Sequence, residues 1–439
     1  MYPLKYRYFK FIICLLLYYS LFTAHYSLAQ GYPQYIPFHK SDKWGYCDSS
    51  KNIIIQPKYE SLDLFNNGHA RILINNHWGF IDSLGNEYLL PDSVSFIGYY
   101  WEFILVSNGK KNALMDHNFN YLIPFKYDAI LDFDHGLAPV RTGEKWGYID
   151  KTGKEVVPLI YGPGYHGKMT EGVTWQMQDG KAGFIDTNGK VVIPFIYELG
   201  SQFINGFAQV RKGGKWIYIN HLGKEIEMAK YDYVGPFFDG LSAVKLNKKT
   251  GFIDTTGKLV IPIQYENSGF FHDGMAGVII NDKWGYINTK GDLIIKPKYH
   301  YGGDFQDGFA NVQMVEDWMM INKKGKTITS GEYDFIIRVD KGLYIIKRKG
   351  ISGVMNEKGK KLIPMNYRYI NYLGNGLFIV SSNGKSGVMD CKSNTAFSSG
   401  KILIPLIYDS IETSQQGIFY ARRGNKYGYI DIKGKEFWE

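Results

Sequence analysis

Beyond residue 43 the chain shows no sustained helical spacing; apolar positions come in short bursts between polar turns. Phe309 to Val315 alternates apolar and polar side chains, the two-residue period of a half-buried strand. A turn such as Asn281-Asp282-Lys283 leads into a second strand, Trp284 to Ile287. Asp254-Thr255-Thr256-Gly257 suits a type I hairpin loop ending in a left-handed residue, which glycine adopts without a Cβ clash. Leu259 to Ile261 makes a third strand, and Pro262, which has no N–H to donate, is expected to end the ladder. The pattern predicts three-stranded antiparallel meanders.

The bursts repeat. The Gly147 slot of Lys145-Trp146-Gly147-Tyr148-Ile149-Asp150 recurs at 45, 79, 113, 147, 183, 217, 251, 285, 319, 353, 387 and 428. Nine of the eleven intervals are 34 residues, and the other two are 36 and 41. The motif positions are Trp44-Gly45, Trp78-Gly79, Trp146-Gly147, Gly183, Trp216, Gly251, Trp284-Gly285, Gly353, Gly387 and Gly428, with a degenerate copy at Ala113. Nine units add a turn glycine, as at Gly153 and Gly257, and nine add a proline, as at Pro158 and Pro262. A tyrosine follows most prolines, as at Tyr161 and Tyr265.

One such meander cannot bury its apolar face alone, so units must stack on their neighbours. Eleven repeats and a terminal half repeat exceed the four to eight blades of common propellers. The expectation is therefore an all-β, open superhelical array over residues 43–439, with one or two closed propeller-like rings as the alternative. The segments Ser93–Val106 and Ile328–Ile346 depart most from the consensus and mark candidate bends or boundaries.

The recurring string, Lys-Trp-Gly-Tyr-Ile-Asp, Gly-Lys, Val-Ile-Pro, Tyr and Phe-x-Asp-Gly-x-Ala-x-Val, resembles the WG-repeat family of bacterial proteins. The match covers about residues 43–439. The resemblance implies a β-rich repeat module found in exported and other bacterial proteins, and it offers no catalytic residues to carry over. Ile217 and Met319 in the glycine slot, and the third unit, depart from the pattern.

The N-terminus changes the picture of where the chain goes. Lys5, Arg7 and Lys10 precede an apolar run from Phe11 to Ala24, and Ser27-Leu28-Ala29 follows. These are the parts of a secretory signal, with cleavage expected after Ala29. The apolar run is shorter than the roughly 20 residues a spanning helix needs, so no transmembrane anchor is expected after cleavage. Residues 30–42 are a lead-in. The 439-residue chain is 45% hydrophobic and 16% aromatic, which excludes wholesale disorder. Its formal charge of +9 falls to +6 once the leader removes three basic residues and no acid, too mild a balance to suggest nucleic acid. Cys47 and Cys391 remain after cleavage, which is no disulfide framework.

Motifs that look chemical dissolve into the repeat. Gly162-Pro163-Gly164-Tyr165-His166-Gly167 matches a dinucleotide fingerprint but has no helical pattern behind it. Gly384-Lys385-Ser386 lacks the first glycine of a phosphate loop, and Asp150-Lys151-Thr152-Gly153 is a turn that recurs as Asp254-Thr255-Thr256-Gly257. No two of the nine histidines after the leader stand three to five residues apart, and the cluster Asp132, Asp134 and His135 aligns with loop positions. The expectation is no enzyme, no cofactor and no metal.

Two rows remain as candidate surfaces. Lysines precede the glycine slot by two residues, as at Lys43, Lys111, Lys145, Lys283 and Lys385, and others follow the turn glycine, as at Lys154, Lys190 and Lys258. The turn aspartates beside them are expected to neutralise these rows. The Trp and Tyr of each Trp-Gly-Tyr strand point to one face, and packing between repeats is their expected use. The function expected is an exported, non-enzymatic scaffold for protein–protein interaction at the bacterial cell envelope, in the periplasm, at the surface or secreted. The alternative is a carbohydrate or envelope-polymer binder using aromatic or lysine rows, and the partner, protein or polysaccharide, is unknown.

Overall fold

The computed structural model describes residues 34–100, 103–116, 118–162, 169–226, 230–329, 333–391, 400–413 and 417–439. The expected leader, residues 1–29, lies outside them. The described residues form twelve antiparallel sheets of three or four strands, each strand bonded to its neighbour in sequence. The strand Ile36–Lys40 of the lead-in belongs to the first sheet.

One repeat shows why these residues fold this way. Asn267–Ser268, Met275–Ile280, Lys283–Asn288 and Leu293–Tyr299 pair in that order. Asp273 and Gly274 both carry positive φ, as do Asn281 and Asp282, so the two hairpins close through tight two-residue turns whose twist suits the strands. Gly291 at φ 87° closes the third turn. Asn288 Oδ1 accepts the N–H groups of Lys290 and Asp292 at 3.0 and 2.9 Å, holding that loop from its first residue.

The long strand corrects the expectation for proline. Leu259–Tyr265 runs straight through Pro262, and Leu293–Tyr299 through Pro297. Trp284 pairs with Tyr299 and Tyr286 with Ile295, so one residue of the glycine-bearing strand, Gly285, faces three of the long one, residues 296–298. Proline sits in that bulge, where a missing N–H leaves no ladder bond broken. The tail of the long strand then supplies a short fourth strand to the next sheet; Tyr301–Gly302 pairs with Phe309–Met314. Most repeats therefore give four strands where three were expected.

Both faces of this sheet are buried. Ile287, Val278 and Ala276 pack with Phe252, Ile261 and Tyr265 of the preceding repeat. Tyr286 and Ile295 pack with Ala310, Val312 and Ile321 of the following one. Each core thus lies between neighbouring sheets, which is why an isolated repeat has nowhere to hide its apolar side chains.

The chain divides into two compact units, one comprising residues up to Leu64 with Tyr333–Glu439, the other Phe65–Glu332. The departure at Ile328–Ile346 coincides with a boundary, whereas Ser93–Val106 lies inside the second unit. Within the first unit the chain returns on itself. His39 N–H donates to the Phe437 carbonyl at 3.3 Å, and Glu439 N–H to the His39 carbonyl at 3.2 Å. Ile36, Phe38, Cys47, Ile418 and Phe437 share one buried cluster. These contacts overturn the open superhelical array, whose terminal sheets would each leave a face uncovered. The propeller-like alternative fits: small meander blades with the first joined to the last. Cys47 and Cys391 are free, with burial pushing each thiol up to about 12.

Candidate functional site

The motif residues serve the bulge. A Cβ at Gly147 would lie 2.5 Å from the Val157 carbonyl oxygen, at Gly251 2.6 Å from that of Ile261, and at Gly285 2.6 Å from that of Ile295. Gly183 and Gly353 meet Ile193 and Ile363 in the same way at 2.8 Å, and Gly387 meets Ile404 at 2.5 Å. Gly45 and Gly79 face the Ile55 and Tyr88 oxygens still more closely. Glycine is required because the long strand folds its backbone down onto the slot. At Gly428 the Trp438 ring takes that place, 2.7 Å from a built Cβ. Ile217 and Met319, the two large residues in the slot, stand in repeats without the proline.

The aromatic row divides. Tyr46, Phe80, Tyr148, Phe184, Phe252 and Tyr286, which follow the glycine slot, are fully buried. Tyr46, Tyr218 and Tyr286 donate their hydroxyls to carbonyls of the next repeat, at Asp63, Gly235 and Gly303, 2.7 to 2.9 Å away. Burial pushes the Tyr218 and Tyr286 phenols upward. Trp44, Trp146 and Trp284 are half-buried, while Trp78 and Trp216 are exposed. Trp78 is covered by the Arg71 guanidinium, 4.5 Å from its ring.

Three lysines of the first row pair with acids other than the turn aspartates. Lys43 meets Glu60 at 3.3 Å, Lys111 meets Asp128 at 2.6 Å and Lys385 meets Asp409 at 2.6 Å. Each acid stands directly after the long-strand tyrosine, a position that also caps the next hairpin in several repeats; Gly143 N–H donates to Asp128, Asn281 N–H to Glu266 and Gly424 N–H to Asp409. The Lys111 contact, helped by that N–H, holds the Asp128 carboxyl below its usual range. The signal was present as a recurring Tyr-acid pair, at Tyr127-Asp128, Tyr265-Glu266 and Tyr408-Asp409. The turn aspartates bond their own loops instead, as Asp150 Oδ1 accepts from Thr152 and Lys154 N–H at 2.8 and 3.1 Å.

A cleft of about 540 Å³ opens in the repeat of Trp216. It lies between the strands Lys215–Asn220 and Tyr233–Phe238 of neighbouring sheets and is lined by Lys215, Trp216, Tyr231, Asp232 and Tyr233. Tyr218 closes its base, accepting from Gln209 Nε2 at 2.6 Å. Neither of the sequence rows sets this repeat apart, although Lys215 and Trp216 belong to them; the cleft differs from the repeat of Trp284 in having Ile217 and Val234 where that repeat has Gly285 and Gly302. His135 and Gly136 form a tight turn, with His135 Nδ1 3.2 Å from Asp134. Among the described residues no group of three or more His, Cys, Asp or Glu is placed to hold a metal ion. The glycines at 164 and 167 of the dinucleotide-like string lie outside the described residues.

With this geometry in place, the sequence profile of the WG containing repeat matches residues 44–77, 114–146, 146–162, 183–216, 218–249, 251–284, 284–314, 318–350, 353–385 and 398–427. The chain belongs to the WG-repeat family. No curated protein matches it in sequence. Among solved structures it is similar to a eukaryotic initiation factor, at 9% identity and TM-score 0.32 over 92% of this chain and 94% of that one. It is also similar to tricorn protease, at 12% identity and TM-score 0.24 over 92% of this chain; it spans only 58% of that protease. A third is PorZ, a bacterial surface component of the type-IX secretion system of Porphyromonas gingivalis, at 10% identity and TM-score 0.21 over 91% and 72%. At these scores none of the three bears on function here.

Proposed function

We propose that this chain is an exported, non-enzymatic scaffold that holds a protein partner at the cell envelope. The observation that carries the reading is what repeats on the outside once packing has used the aromatics. Long strands begin with an exposed lysine and two exposed apolar residues: Lys190-Val191-Val192 and Lys258-Leu259-Val260, with Leu293-Ile294 exposed at the same place. These lysines carry no ion pair among the described residues, unlike Lys43, Lys111 and Lys385 before the glycine slot. Apolar pairs beside unpaired cations suit an extended partner segment rich in apolar and acidic side chains, and the bulge prolines discourage edge-to-edge aggregation. Export rests on the N-terminal basic, apolar and small-residue pattern.

The test is binding of tagged residues 30–439 to cell-envelope fragments, with and without protease treatment of the fragments. Loss of binding after proteolysis is expected. Binding that survives and is competed by free polysaccharide sinks the reading.

A further inference from the structure

We infer that the cleft beside Trp216 is a binding site for one sugar ring of a glycan. It goes beyond the docking proposal and is carried by different residues. In the repeat of Trp284 the corresponding space is filled. Gly302 lets Trp284 lie close, since a Cβ there would come 3.1 Å from the Trp284 Cβ and 2.8 Å from the Tyr286 hydroxyl. The equivalent of Gly302 two repeats earlier is Val234, and the glycine slot holds Ile217. Trp216 is accordingly 53% exposed and Tyr233 47% exposed, two flat rings facing a cleft of ligand-holding size.

The polar groups around those rings are free to recognise something. Lys283 bonds the residue after the long-strand tyrosine, its Nζ 2.7 Å from His300 Nε2, and so covers the corresponding site of its own repeat. Lys215, at the same position, makes no such bond to Asp232 among the described residues. Asp232 spends Oδ2 on the Asn247 N–H, at 2.8 Å. The buried Tyr231 hydroxyl has no hydrogen-bond partner among the described residues, the kind of group a ligand hydroxyl would satisfy. Aromatic platforms ringed by an ammonium, a carboxylate and a phenol match a pyranose, which offers an apolar C–H face and a rim of hydroxyls. An apolar peptide anchor would leave those polar groups unpaired.

The experiment titrates the full chain with chitotriose, cellotriose, maltotriose and trigalacturonic acid, read by calorimetry and saturation-transfer NMR. At least one is expected to bind with saturation reaching its ring protons. Trp216→Ala and Tyr233→Ala should each weaken it by about tenfold or more, and Trp216→Phe by much less. Trp78→Ala, at the other exposed tryptophan, should leave binding unchanged. Thermal melts separate lost contact from lost fold, and Trp216→Phe keeps the test valid if the alanine variant unfolds. The inference is overturned if no trisaccharide binds at millimolar concentration, or if binding persists in both folded alanine variants. It is equally overturned if only an aromatic peptide occupies the cleft. The docking proposal fails separately, on protease-resistant binding to envelope fragments.

Discussion

The repeats of Trp284 and Trp216 stand two periods apart and share nearly every landmark, yet one is filled and the other open. In the first, Gly285 receives the Ile295 carbonyl, Pro297 occupies the bulge, and Gly302 admits the indole. In the second, Ile217 and Val234 hold side chains in both glycine positions, and the described long-strand pairing is confined to Glu225–Ile226. The same meander therefore tolerates loss of its defining glycine in a repeat whose long strand also lacks the proline. What is lost in packing reappears as a cleft.

Four changes test this contrast. The largest effect is expected from Gly285→Val, which drives a side chain into the Ile295 and Pro297 backbone; destabilisation of about 3 kcal/mol or more should appear in denaturant unfolding. An unchanged midpoint would break the account of the slot. Gly302→Val copies the open repeat into the filled one, and about 2 kcal/mol of destabilisation with greater solvent exposure of Trp284 is expected. Fluorescence quenching in a variant retaining Trp284 as its sole tryptophan measures that exposure. Asp273→Asn addresses a clasp between repeats. Asp273 Oδ2 accepts the Gly308 N–H at 2.6 Å, whereas Asn205, its equivalent beside the open repeat, donates to the Phe237 carbonyl at 2.8 Å. Removing the charge should cost about 1 kcal/mol by thermal melting.

The smallest effect is one of pH. The turns of both compared repeats begin with Asn220 and Asn288, but the repeat between them uses Asp254. A hydrogen bond from the Thr256 hydroxyl, with N–H donors from Thr256 and Lys258, holds the Asp254 carboxyl below its ordinary value. Its contribution is therefore present above the unfolded pKa, about 4, and lost as pH falls through the lower folded value. Asp254→Asn should leave stability at pH 7 nearly unchanged and flatten part of its decline below pH 4. An identical acid limb in the variant would remove Asp254 from that account.

Much of this was legible in the residues because it depends on neighbours in sequence. The tight turns at Asp273-Gly274 and Asn281-Asp282 follow from side chains that tolerate positive φ, and the strand at Phe309 from its alternation. The periodic glycine was visible too, but its reason was not, since Gly147 meets a strand that pairs back ten residues later. Proline was misread as an end because its place in a bulge depends on register. The Tyr-acid pairs were in plain sight but gain meaning only when Lys111 and Gly143 converge on Asp128.

The sequence by itself determined the repeat, its β character and its turns, because each is set by torsional preferences and spacing within a few tens of residues. Only the tertiary structure decided that the array is not open, since His39 and Phe437 lie at opposite ends of the described chain. It alone decided that the tyrosines are spent inside while Trp216 is not, since burial is a property of what packs opposite. Periodicity specifies the unit; closure and clefts arise where units meet.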